Sequence, residues 1–160
     1  MQKLGSAIVL IILGLIVLAF PALGYVPAAF ITGFIVLFLG LGLLISGIME
    51  LGESAGLGIL EIILGIIALV LGIGFIINPG LFTWVLGFIV YIVGIFLIIA
   101  GIVGVITKSD NSRWNGVVAL IIGLLYIIVG SLFASQPLYL GILIGLWLLI
   151  MGILLLFSKD

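Results

Sequence analysis

The chain has 160 residues, 67% of them hydrophobic and 6% charged, with a net charge of −1 and no Cys or His. Soluble domains carry roughly a quarter charged residues, and these few charges cannot coat a water-facing surface over so much Ile, Leu, Val and Phe. A soluble globule and a disordered chain are both excluded, and the chain belongs in a bilayer.

A spanning helix needs about 20 apolar residues to cross a ~30 Å hydrocarbon core, and polar, Gly and Pro clusters divide the sequence into six such spans. The first, Leu4–Phe20, follows Lys3. It resembles a signal peptide, but no small-residue cleavage motif follows it, so it reads as a retained helix. The stretch Pro21-Ala-Leu-Gly-Tyr-Val-Pro27 turns the chain into the second span, Pro27–Met49. Glu50 and Glu53 precede the third, Leu57–Ile77, which carries Glu61 near its start. Asn78-Pro79-Gly80 leads into the fourth, Leu81–Ile106, and Lys108, Asp110 and Arg113 separate that from the fifth, Trp114–Phe133. Ser135-Gln136-Pro137 leads into the sixth, Leu138–Phe157, with Lys159 and Asp160 after it. No segment alternates with period two, against a β-barrel. Backbone groups in lipid must bond within their own segment, which leaves helices. The expected fold is an all-α membrane bundle of six helices in three antiparallel hairpins, with repeats near 4–49, 57–106 and 114–157.

Every Lys and Arg falls on one side of this scheme, and the connections after the first, third and fifth spans carry no charge. The positive-inside rule makes the charged side cytoplasmic, with both termini in. The expected location is the cytoplasmic (inner) membrane of a prokaryote. Lys3, Lys108, Arg113 and Lys159 are placed to touch anionic headgroups, although orientation alone accounts for them equally well. Trp84, Tyr139 and Trp114 fall near the span ends, where aromatic rings anchor.

The repeat is written in glycine. Gly33, Gly40 and Gly47 mark the second span, Gly87, Gly94 and Gly101 the fourth, Gly145 and Gly152 the sixth. Gly58, Gly65 and Gly72 mark the third, and Gly116, Gly123 and Gly130 the fifth, while the first shows Ala7, Gly14 and Pro21. Seven residues are nearly two helical turns, so each series forms one stripe. In lipid, packing replaces the hydrophobic drive between helices, and small residues let backbones approach. A seven-residue period favours crossing near about +20°.

Chemistry has little to work with. Without Cys or His there is no thiolate, no usual proton shuttle, and no normal donor set for zinc, haem or iron–sulfur clusters. No cofactor or metal is expected. The net charge gives no basic field for nucleic acid. No paired intramembrane Asp, Ser–His pair or nucleotide fingerprint is present, so the chain is expected not to be an enzyme. Glu61 is the one ionisable residue inside a span, three after Gly58 and four before Gly65, where the fifth span has Ala119 and the first Leu10. Intramembrane acids are functional candidates, because desolvation penalises their charged form. Proton sensing is one alternative. A hydrated acid near a helix N-terminus, favoured by the dipole, is the other. Glu50 and Glu53 extend Glu61 into a small acidic group, without the loop spacing of a Ca²⁺ or Mg²⁺ site.

Three proline-turned hairpins with glycine-ruled helices resemble the HdeD-like family of small membrane proteins. The matching pieces are Ile12-Leu13-Gly14 through Phe20-Pro21, Ile63-Leu64-Gly65 through Asn78-Pro79, and Ile122-Gly123 through Gln136-Pro137. The resemblance implies six spans and a link to acid resistance, with no catalytic or binding residues to carry over. A small proton, ion or solute transporter or channel using Glu61 is the competing expectation, although pathways usually need more intramembrane polar groups. The lipid bilayer is the expected partner, and self-association is left open.

Overall fold

The computed structural model describes residues 2–107 and 109–158. Its helices are α1 (Gln2–Ala19), α2 (Ala22–Glu50), α3 (Ala55–Ile77), α4 (Pro79–Ile106), α5 (Asp110–Ser135) and α6 (Leu138–Phe157), with no strand among the described residues. All six are long and apolar enough to cross a membrane.

The helices extend past the expected spans at several ends. α4 starts on Pro79, whose missing N–H costs nothing at a first helical position, and Asn78 Oδ1 accepts the Gly80 N–H at 3.1 Å. α5 gains a turn at Asp110, an acid at the positive end of its dipole. The seven-residue turn expected at Pro21–Pro27 is a correction: α2 begins at Ala22 and carries Pro27 inside it. Gly24 and Tyr25 both donate their N–H to the Pro21 carbonyl, at 3.0 and 3.4 Å. An apolar stretch has no polar side chains to satisfy its backbone, so helical bonds continue up to the turn. One N–H lost at Pro27 is a smaller cost than an open loop.

Size is inverted from that of a soluble protein. Every stripe glycine named above is buried, whereas Phe38 and Phe96 are 67% and 66% exposed. Large side chains face outward on every helix because lipid is as apolar as they are, and backbone proximity holds the interior.

The chain forms two compact units. The first contains α1, α2, α3 and α6 from Gly141 onward; the second contains most of α4 and α5. In the second unit Gly87 pairs with Gly130, Gly94 with Gly123 and Gly101 with Gly116. In the first unit Gly33 pairs with Gly72, Gly40 with Gly65 and Gly47 with Gly58. A Cβ placed on any of these twelve would lie 2.6–2.9 Å from its partner's carbonyl oxygen. α1 meets α6 on the same plan. A Cβ on Gly14 would lie 3.0 Å from Gly145 O, and one on Gly152 3.0 Å from Ala7 O. The sequence suggests hairpins turned at proline, but the glycine contacts run across the charged links, and α6 returns to α1. The proline turns therefore connect the glycine-packed pairs. Heptad spacing sets the stripe on each helix; which neighbour receives it depends on the whole chain path.

Candidate functional site

Glu61 lies on the α3 face that carries Gly58 and Gly65, both set against α2. The neighbouring Ile62 packs its Cγ1 where a Cβ on Gly47 would be 2.9 Å away. Glu61 is half-buried, and its Oε2 is buried with no hydrogen-bond partner among the described residues. The residues of α2 and its C-terminal cap that meet this stretch of α3 at Gly58 and Gly65 are Gly47, Leu51, Gly40 and Leu44, none with a side-chain donor.

Glu50 closes α2 and is half-buried; Glu53 is exposed in the link. That link is held by backbone bonds from the Glu53 and Ser54 N–H groups to the Glu50 carbonyl, at 3.0 and 2.8 Å. Among the described residues no three acidic groups converge in a way that could hold a metal. Lys3 and Arg113 are exposed, while Lys108 and Lys159 lie outside the described residues. Trp84, 50% exposed, stacks on Phe88 at 5.7 Å. Trp114 and Trp147 are exposed.

Two grooves run along the α4·α5 pair. One, of about 390 Å³, is lined by Tyr91, Ser131 and Ser135 with Gly87 and Gly130. Its serine hydroxyls donate to carbonyls three residues back, both at 2.8 Å, so their protons are committed locally. The other, of about 520 Å³, lies at the charged end and is lined by Ser109, Asn111, Ser112 and Asn115 with Ala100, Gly104, Gly116 and Ala119. Sequence reasoning missed this second groove, because Ser and Asn ahead of an apolar run read as a link. The usable signal was the position of Ser112 and Asn115, each four residues before Gly116 and Ala119 respectively, on one face of the helix.

Six apolar helices paired through glycine stripes define a membrane-spanning helical repeat protein. The short repeat of unknown function named DUF308 matches residues 5–77 and 63–135. The chain belongs to that family. The two matches start 58 residues apart, the spacing of Pro21, Pro79 and Pro137. In that register Ala7, Gly65 and Gly123 are equivalent, and so are Gly14, Gly72 and Gly130. The counterpart of Glu61 in α1 is then Lys3 in place of the expected Leu10, and its counterpart in α5 stays Ala119. No curated protein and no solved structure matches the chain.

Proposed function

We propose that this is a non-enzymatic HdeD-like membrane protein serving acid or envelope stress, in which Glu61 couples proton availability to the packing of α2 on α3. The carrying observation is the buried Glu61 Oε2, without a hydrogen-bond partner among the described residues, on the α3 face set against α2. A buried polar atom left without a partner costs roughly 1–3 kcal/mol, so the state of this one oxygen bears on the free energy of the helix contact. The residues of α2 and its cap set against Gly58 and Gly65 are Gly40, Leu44, Gly47 and Leu51; the nearest acids in sequence are Glu50 at the end of α2 and Glu53 in the link. The membrane-lying architecture and the family both fit a role exercised through packing or partners.

The test compares the wild-type chain with Glu61→Gln in liposomes, reading thiol accessibility of a single cysteine placed at Ser46 as pH falls from neutral to acidic. The expected result is a pH-dependent change in the wild type that Glu61→Gln removes. An identical pH response in both would discard the role of Glu61. Proton flux in the same liposomes, abolished by Glu61→Gln, would assign Glu61 to a conduction pathway instead.

A further inference from the structure

The groove at the charged end of α4·α5 has a counterpart in α2·α3 that differs in one consistent way. The stripes align Gly47 with Gly101 and Gly58 with Gly116. On that register Glu50 becomes Gly104, Glu53 becomes Asn111, Leu57 becomes Asn115 and Glu61 becomes Ala119. Three carboxylates of one pair are replaced by a glycine, a carboxamide and an alanine in the other, and all three replacements line the groove. Its remaining nearby acid is Asp110, exposed, with Arg113 exposed one turn further on.

The groove is graded along its length. Ser109, Asn111, Ser112 and Asn115 line its mouth, and Ala100 and Ala119 line its inner end. Its floor is backbone, since a Cβ on Gly104 would lie 2.9 Å from the Gly116 Cα. The Ser112 hydroxyl reaches the Gly104 carbonyl at 3.4 Å. The carboxamides of Asn111 and Asn115 make no hydrogen bond to another described residue. At about 520 Å³ the volume is that of a small-molecule site. Because the apolar run of α5 starts just after Asn115, the mouth lies at headgroup level and the inner end at the level of the first acyl carbons.

We propose that this groove binds the phosphodiester headgroup and glycerol backbone of an anionic phospholipid. Asn111, Asn115 and the Ser109 hydroxyl donate to phosphate and glycerol oxygens, Arg113 supplies the cation at the mouth, and the small inner residues admit the start of an acyl chain.

Native mass spectrometry of the full chain in detergent tests this, titrating phosphatidylglycerol and phosphatidylcholine of identical chains, with glycerol phosphate and inorganic phosphate as competitors. Three variants copy residues that α2·α3 carries at the equivalent positions: Asn111→Glu, Arg113→Ala and Asn115→Leu. Melting without lipid identifies any variant that fails to fold, and the remaining variants are then read. The wild type is expected to retain one phosphatidylglycerol with roughly tenfold preference over phosphatidylcholine, and the variants to lose most of that preference. Absence of a preference in the wild type, or an equal preference in the folded variants, overturns the proposal. So does displacement of the lipid by inorganic phosphate at comparable concentration.

Discussion

Gly40 and Gly65 face each other across the α2·α3 pair, each so placed that a Cβ would come 2.9 Å from the other's carbonyl oxygen. The obstacle is backbone, which cannot rotate away as a side chain can. The same reciprocal relation holds for Gly94 and Gly123 in α4·α5, at 2.8 and 2.9 Å. Glycine here serves close approach, not an unusual dihedral: no described residue has positive φ.

Gly94→Leu and Gly123→Leu are therefore expected to destabilise the protein. Overpacking against mobile neighbours costs about 1–3 kcal/mol, and a backbone obstacle puts these two at the upper end or beyond. Gly42→Leu is the matched control, since a Cβ there meets nothing within 4 Å. Thermal unfolding in detergent should show a clear loss for the first two and a change within about 0.5 kcal/mol for the third.

Gly141 makes a sharper case outside the seven-residue series. A Cβ on it would run into the Pro21 carbonyl, whereas one on Gly145 would meet Leu18 N at 3.0 Å and the movable Leu18 Cγ at 3.1 Å. Gly141→Ala is expected to lower the melting temperature more than Gly145→Ala. Equal losses would show that the Pro21 turn yields.

The number and order of spans were legible because charges and prolines bound each apolar run. Glu61 stood out as the lone ionisable residue within one. Neighbour choice was not legible: a seven-residue stripe declares a packing face without saying which helix receives it. Alignment on Ile-Leu-Gly set Gly14 beside Gly65, whereas the proline spacing sets Ala7 there, a small residue doing glycine's work against Gly152. The start of α2 was obscured by Pro27, which tends to read as a boundary but sits within a continuing helix. The polar groove depends on what α4·α5 lacks relative to α2·α3, a contrast visible only after the pairs are known.

Glu61→Ala places in α3 the residue that α5 carries at the equivalent position, Ala119. Removing a buried oxygen without a partner among the described residues is expected to stabilise the protein by about 1 kcal/mol, the usual scale for an unsatisfied polar group. Chemical or thermal unfolding of the reconstituted protein measures it. A loss of stability would mean that Glu61 makes a favourable contact through its other oxygen or through its methylenes.

The return of α6 onto α1 is the central structural claim, and it can be read in native membranes because the chain has no cysteine of its own. The Ile11 Cγ1 lies 2.7 Å from where a Cβ on Gly152 would sit, so Ile11→Cys with Gly152→Cys puts two thiols within disulfide reach. Oxidation should give an intramolecular cross-link in that double variant and none when Ile11→Cys is combined with Gly42→Cys. Cross-linking only between molecules, or none at Ile11 and Gly152 in a double variant that still shows cooperative melting while the control pair reacts, would contradict the glycine-paired arrangement.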